Sequence, residues 1–89
     1  MLVKRAVTVK SKQGLHARPA ALFVQVANKF DATITVVRDT ERVNGKSIMG
    51  ILMLGAEQGS EIVLEAEGKD AEIAVVELER IVAQEDEDK

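Results

Sequence analysis

The stretch VKRAVTVKSKQGLHARPAALFVQVAN, residues 3–28, changes its hydrophobic pattern at a single glycine. Before Gly14, valines at alternating positions share one side of the chain, a period of two that is typical of a β-strand. After Gly14, a helix is predicted from Ala17 to about Asn28. Pro19 falls in the first turn of this helix, where its missing N–H costs no hydrogen bond. The stretch therefore predicts a strand, a glycine turn and a helix.

The rest of the chain continues this succession of strands and helices. Strands are predicted over residues 32–38, near 42–43 and over 61–67, where β-branched and apolar residues alternate with polar ones. A short helix is predicted over residues 47–54, with Ser47 as its N-cap and Gly55 as its stop. Asp70 is predicted to be the N-cap of a last helix. Its apolar residues recur at spacings of three and four and form one stripe, at Ala71, Ala74, Val75, Leu78, Ile81 and Val82.

The order β-α-β-β-α-β-α predicts an α+β fold. Because the strands have one polar side, we expect an open-faced β-sandwich, a four-stranded antiparallel sheet with three helices on one face. The 89 residues predict a single domain over 1–89. Residues 85–89, Glu-Asp-Glu-Asp-Lys, are expected to form a frayed acidic tail.

Composition and charge restrict the classes of function. The chain has no cysteine, so neither a disulfide framework nor a thiolate metal site is expected. The N-terminus has no apolar run like that of a signal peptide, and no stretch approaches the roughly 20 apolar residues of a membrane span. We therefore expect a cytoplasmic protein. Residues 1–50 carry a net charge of +6 and residues 51–89 a net charge of −9. The basic half can attract phosphates or acidic protein surfaces, although a compensated solvent face is an alternative explanation.

The only histidine, His16, stands at the start of the first predicted helix. The first N–H groups of a helix lack backbone partners, and with the helix dipole they favour anions. Arg18 is a cation at the unfavourable end of that dipole, a placement that suits a site visited by a phosphate. A neutral imidazole nitrogen is also a nucleophile. The position alone leaves open the alternative that His16 merely caps the helix beside an ordinary surface arginine.

Several other sites are disfavoured by the motifs that the chain lacks. One histidine without cysteine provides too few ligands for a typical zinc site. Neither GxxxxGK[ST] nor GxGxxG is present, so no nucleotide-binding loop and no cofactor are predicted. A phosphoryl group would therefore have to come from another protein.

The predicted helix over 47–54 is apolar on nearly all sides. A two-turn helix can bury about half of these side chains, so the others are expected to form an exposed patch that binds partners. Burial of the whole helix in the core is the alternative. Phosphorylation of Ser47 would add negative charge at a favourable helix end and so change partner affinity with little effect on the fold.

At these residues the sequence resembles the HPr family, the histidine-containing phosphocarriers of the bacterial phosphoenolpyruvate-dependent sugar phosphotransferase system. The resemblance covers roughly residues 2–84. Gly-Leu-His-Ala-Arg-Pro-Ala-Ala at 14–21 is similar to the family's active-site signature, and Asn-Gly-Lys-Ser-Ile-Met-Gly at 44–50 is similar to its regulatory serine segment. The Ser-Ile-Met context resembles the Gram-positive branch.

The resemblance implies a role for each of these residues. Enzyme I would transfer a phosphoryl group to Nδ1 of His16, which would pass it to IIA domains of sugar permeases, with Arg18 stabilising the group. A kinase, HPr kinase/phosphorylase, would phosphorylate Ser47, and the product would act as corepressor with a catabolite-control transcription factor in carbon catabolite repression. A shared docking patch would comprise Leu15, Ala17, Ala21, Ile48, Met49 and Met53.

Other functions remain as alternatives. A nitrogen-branch phosphocarrier shares the signature around His16, and a purely regulatory interaction module could act through Ser47 and the apolar patch. The catabolite-repression paralogue of the family lacks the active histidine, so His16 argues against it. Direct nucleic-acid binding is disfavoured because Phe23 and Phe30 belong to the first helix and its end rather than to a strand. An autonomous metabolic enzyme is disfavoured because no acid–base pair accompanies His16.

Overall fold

The computed structural model describes residues 1–84 and contains one four-stranded antiparallel sheet with three helices. The strands are β1 (Leu2–Thr8), β2 (Thr33–Arg38), β3 (Glu41–Asn44) and β4 (Glu61–Glu67). The helices are α1 (Ala17–Ala27), α2 (Ile48–Leu54) and α3 (Ala71–Ala83). The strand order in the sheet is β1-β4-β2-β3. The predicted fold class and element order are confirmed, and the predicted acidic tail at 85–89 lies outside the described residues.

The core lies between the sheet and the helices. Alternation in β2 and β4 buries one side of each strand, at Ile34, Val36, Ile62, Leu64 and Ala66. The predicted stripe of α3 covers this side and is buried except at Ile81, which is half-buried. From α1, Ala20, Phe23 and Ala27 also belong to the core. One buried layer between a sheet and its helices is what the two hydrophobic periods predict.

The two ends of α2 are as the sequence predicts. Ser47 is the N-cap, and its side-chain oxygen accepts a hydrogen bond from the Gly50 N–H at 3.1 Å. Gly55 ends the helix in the left-handed conformation, at φ 64°. These local interactions define a helix of only seven residues, which would be unstable alone.

The predicted N-cap position of Asp70 is confirmed, although its side chain makes no capping hydrogen bond. Its carboxylate instead accepts hydrogen bonds from the backbone N–H groups of Asp31 and Ala32, at 2.8 and 2.9 Å. The segment that enters β2 offers two adjacent N–H donors. Asp31 donates to Oδ2 of Asp70 and Ala32 donates to Oδ1, so both carboxylate oxygens are used. Asp70 therefore connects the start of α3 to the start of β2.

The stability of the protein is expected to decrease at acid pH through Asp70. The hydrogen bond from the Asp31 N–H, with that from Ala32, lowers the pKa of Asp70. A carboxyl group with a lowered pKa stabilises the fold above its unfolded pKa of about 4, and loses that contribution as the pH falls through the folded pKa. Urea unfolding between about pH 5 and pH 2 should show this loss in the natural protein and less of it in Asp70→Asn.

Glu65 on the uncovered face of the sheet serves as the control for this titration. Its carboxylate accepts hydrogen bonds from Arg42 at 2.8 and 3.3 Å, which lower the pKa of Glu65. Glu65→Gln should remove a separate part of the acid dependence. If Asp70→Asn shows the same pH dependence as the natural protein, Asp70 does not contribute through its charge.

Candidate functional site

A tight turn brings the chain from β1 into α1. Gly14 has φ 73°, a conformation that favours glycine, and a Cβ atom there would lie 2.3 Å from the Ala56 carbonyl oxygen. The next N–H, that of Leu15, donates to the same oxygen at 2.9 Å. The predicted glycine turn at Gly14 is therefore confirmed, and its neighbour is the segment that follows α2.

His16 is the N-cap residue of α1, with an extended backbone at φ −89° and ψ −167°. Its carbonyl oxygen accepts the first helical hydrogen bond, from Ala20 N–H at 2.9 Å, but its side chain makes no capping bond. The imidazole is half-buried. Because the ring is not used to cap the helix, the alternative in which His16 serves only as a cap loses its main support.

The first turn of α1 can receive an anion. It contains no acidic residue, and Pro19 has no N–H, so the N–H groups of Ala17 and Arg18 are the donors at this end. Ala17 and Arg18 are exposed. Within residues 1–84, the Arg18 guanidinium makes no hydrogen bond or ion pair, so it is available to a phosphate beside His16.

The second helix presents an exposed apolar surface, as predicted. Only Ile51 and Leu54 of α2 are buried. The remaining large side chains are exposed by 41%, 62%, 37% and 72%, respectively, and form what we call the α2 patch, Ile48, Met49, Leu52 and Met53. The patch lies beside α1, against which α2 packs.

The six residues of the predicted docking patch differ in their exposure to solvent. Ile48, Met49 and Met53 lie in the α2 patch, Ala17 is exposed and Ala21 is half-buried on α1. Leu15 is different, because only 5% of it is exposed and it belongs to the core. The backbone bond of Leu15 to Ala56 holds it at the inner side of the turn, so it cannot offer a docking surface.

Ser47 lies at the opposite end of α2 from the His16 turn. The seven residues of α2 span about 10 Å, with Ser47 before the helix and Ala56 after it. The neighbouring Lys46 ammonium donates to the Phe30 carbonyl oxygen at 2.6 Å, which ties the start of α2 to the loop after α1. The α2 patch therefore lies between the predicted regulatory serine and the His16 turn.

Sequence reasoning missed the segment that supports this turn. Residues 56–60 form backbone hydrogen bonds with both sides of the turn. On one side, the Leu15 N–H donates to the Ala56 carbonyl. On the other, the Val9 N–H donates to the Ser60 carbonyl and the Gly59 N–H donates to the Val9 carbonyl, both at 2.8 Å. The Gln58 side-chain amide donates to the Lys10 carbonyl at 3.3 Å. The glycine at 59 signals a turn, but no local pattern shows what the turn contacts.

Residues 1–84 contain no group of three or more histidine, cysteine or acidic side chains placed to hold a metal ion. In the same part of the chain, no helix has the length and apolar character to cross a membrane.

Comparison with known proteins gives consistent matches over nearly the whole chain. A family model described as "PTS HPr component phosphorylation site" matches residues 3–84. The phosphocarrier protein HPr of Treponema pallidum is 50% identical over 80 residues, covering 90% of this chain and 91% of that protein. The HPr-like protein Crh of Bacillus subtilis is 44% identical over 84 residues, covering 94% and 99%.

The solved structures show the same fold. A crystal structure of HPr from Bacillus anthracis superposes with a TM-score of 0.88 at 51% identity, covering 91% of this chain and 96% of that one. The residues matched by the family model include the segment with His16 and the segment with Ser47. Together with the strand order and the exposed helix end at His16, these similarities show that the chain belongs to the HPr family of phosphocarrier proteins of the phosphotransferase system.

Proposed function

We propose that this protein accepts a phosphoryl group on Nδ1 of His16 from phosphorylated enzyme I and donates it to IIA domains of sugar permeases in the cytoplasm. The Nδ1 lone pair attacks phosphorus while the bond to the donor atom of enzyme I breaks, and the reverse exchange delivers the group to the IIA domain. The observation that carries this proposal is a lone histidine, unused as a cap, at an exposed helix N-terminus beside Arg18, which has no partner among residues 1–84.

The geometry supports transfer in both directions. The phosphoryl group would be received by the N–H groups of Ala17 and Arg18 and by the Arg18 guanidinium, which can form charge-assisted hydrogen bonds. The two backbone N–H groups are fixed by the fold before the phosphoryl group arrives, so little reorganisation of the backbone is needed. Because the site is exposed, the group can leave again without a change in the core. The protein itself is a carrier, consumed and regenerated by its partners, rather than an enzyme with turnover of its own.

The proposal is tested by 31P NMR of the protein mixed with enzyme I and phosphoenolpyruvate. We expect a phosphohistidine resonance that disappears when a IIA domain is added. Absence of the resonance, with enzyme I active on a known carrier, contradicts the proposal. Supplying sugar-permease and nitrogen-branch IIA domains in separate samples decides between the two branches.

Arg18→Ala should slow phosphoryl transfer by about 10- to 100-fold, since a hydrogen bond to a charged group contributes about 1.5–3 kcal/mol. Arg18→Lys is the matched variant, because it retains the charge but not the paired donors, and it should recover part of the rate. Rapid quench-flow measurement of transfer from phosphorylated enzyme I gives the rates of both variants. Natural rates in Arg18→Ala would remove the guanidinium from the mechanism.

We also propose that Ser47 is phosphorylated by an HPr kinase/phosphorylase, and that the modified protein binds a catabolite-control transcription factor. Ser47 borders the α2 patch, so a phosphate there would place a strongly hydrated charge at the edge of an apolar docking surface. The N-cap position accepts negative charge without loss of the helix. Modification would therefore change partner choice more than stability.

Ser47→Asp is expected to weaken binding to enzyme I by roughly tenfold, a change of about 1.4 kcal/mol. Ser47→Asn is the matched control, because asparagine is an equally good N-cap without charge. Titration calorimetry with enzyme I measures the affinity, and thermal unfolding checks that both variants keep the helix. Equal affinities for the two variants would contradict a role for charge at this position.

The similarity to Crh favours a second candidate, a regulatory interaction module that acts through Ser47 and the α2 patch. Such a module needs neither a nucleophilic ring nor an arginine at residue 18. The NMR experiment separates the two candidates, because only the carrier forms phosphohistidine.

A further inference from the structure

The methionines of this chain all lie at the surface. The sequence has three, and Met1, Met49 and Met53 are exposed by 69%, 62% and 72%. None belongs to the core, whose large side chains are isoleucine, leucine, valine and phenylalanine. The chain also has no cysteine, tryptophan or tyrosine, so no thiol competes with the thioethers for an oxidant.

Met49 and Met53 are placed together by the helix. A separation of four residues brings two side chains onto the same face of an α-helix, and these two are the most exposed members of the α2 patch. The patch lies between Ser47 and the His16 turn. A chemical change at either sulfur therefore alters the surface beside the carrier histidine.

We propose that Met49 and Met53 form a peroxide-sensitive modification site, and that their oxidation to sulfoxide slows phosphoryl transfer with enzyme I. The consequence for transfer rests on the proposed carrier function, with the α2 patch as its docking surface. The sulfur lone pair attacks one oxygen of hydrogen peroxide, the O–O bond breaks, and water leaves. Sulfur is oxidised by two electrons while peroxide is reduced.

Oxidation would act on docking and leave the fold intact. A sulfoxide oxygen is polar and hydrated, so burying it against an apolar partner surface without a hydrogen bond is unfavourable. In the free protein both side chains already face solvent, and the core residues Ile51 and Leu54 of α2 are not modified. A methionine sulfoxide reductase with a dithiol reductant would restore the thioethers, which makes the change reversible.

Met1 supplies an internal control. It is as exposed as the other two but precedes β1, outside the α2 patch. Trypsin cleavage after Lys4, Lys46 and Lys69 separates residues 1–4 from residues 47–69. Mass spectrometry of these peptides therefore distinguishes oxygen added at Met1 from oxygen added at Met49 and Met53.

The experiment treats the full-length protein with hydrogen peroxide, maps the oxidised peptides and measures phosphoryl transfer from enzyme I. We expect oxidation in peptide 47–69, transfer slowed by about tenfold, an unchanged midpoint of thermal unfolding and recovery with the reductase. The matched variant is Met49→Leu with Met53→Leu. The transfer rates of this variant before and after peroxide treatment should differ by less than about twofold, because Met1 is its only remaining methionine.

Three results would overturn the proposal. The first is oxidation of Met1 without oxidation of peptide 47–69. The second is an oxidised protein that transfers the phosphoryl group at the untreated rate. The third is a double leucine variant whose transfer rate falls on treatment as far as that of the natural protein. Failure of the carrier function is recognised separately, because the untreated protein would then accept no phosphoryl group. That result would remove the proposed consequence of oxidation as well.

Discussion

Replacing His16 with alanine is expected to abolish phosphoryl acceptance from enzyme I, because no other histidine exists in the chain to form the phosphorus–nitrogen bond. The fold should survive the change. The His16 side chain makes no capping hydrogen bond, so its removal should cost less than about 1 kcal/mol, the usual effect of losing a good N-cap. The expected result is a folded protein without a phosphohistidine resonance.

His16→Asn is the matched variant for this experiment. Asparagine is a favourable N-cap and has no nucleophilic nitrogen, so it should be as inactive as alanine and at least as stable. 31P NMR measures acceptance, and circular dichroism with urea unfolding measures the fold. If enzyme I still phosphorylates the His16→Ala protein, the acceptor lies elsewhere in the chain. If both variants are unfolded, His16 is a structural residue.

Replacing Gly14 with alanine is expected to lower the free energy of unfolding by about 3 kcal/mol. Part of this is the positive φ of 73°, which costs a non-glycine residue on the order of 1 kcal/mol. The larger part is steric, because the new Cβ would lie 2.3 Å from the Ala56 carbonyl oxygen and 2.9 Å from the Glu57 Cα. The backbone must move apart, and the hydrogen bond from Leu15 to Ala56 would be lost.

Gly55→Ala separates the two contributions. Gly55 has a similar φ of 64°, but the nearest atom to an added Cβ is the Met53 carbonyl oxygen at 4.0 Å. Its substitution should cost only the conformational part, about 1 kcal/mol, or roughly 4–8 °C in the midpoint of a domain this size. Gly14→Ala should lower the midpoint about three times as far. Equal shifts would show that the turn adapts to the added methyl group.

The Gly14 substitution should also slow phosphoryl transfer. The same turn sets the position of His16 at the start of α1, so a shift of its backbone should displace the imidazole relative to the N–H groups of Ala17 and Arg18. Transfer measured below the unfolding transition distinguishes this effect from loss of folded protein. Gly55→Ala lies outside the turn and provides the comparison at equal temperature.

Local patterns predicted most of the fold correctly. The period of two in the strands and the spacings of three and four in α3 identified which sides are buried, since each period follows from backbone geometry. The ends of α2 at Ser47 and Gly55 were predictable for the same reason, because capping is a local interaction. The side-chain partners of Asp70 were not predictable, because Asp31 and Ala32 lie 39 and 38 residues away.

The candidate site was predictable only in part. That His16 begins a helix and that Arg18 stands in its first turn follow from the residues themselves. The resemblance placed Leu15 in the docking patch, but its side chain is buried, and in a turn no local period distinguishes an inward from an outward side chain. The exposure of Met49 and Met53 depended on which side of a nearly uniform apolar helix meets the core.

By itself, the sequence determined the element order, the caps of the second helix, and the pairing of a lone histidine with an arginine at a helix start. These depend on interactions within a few residues, which a local pattern records. Only the tertiary structure decided that residues 56–60 support the His16 turn, that Asp70 joins α3 to β2, and that the α2 patch lies between Ser47 and that turn. Such contacts join segments far apart in the chain, and packing of the whole core selects them.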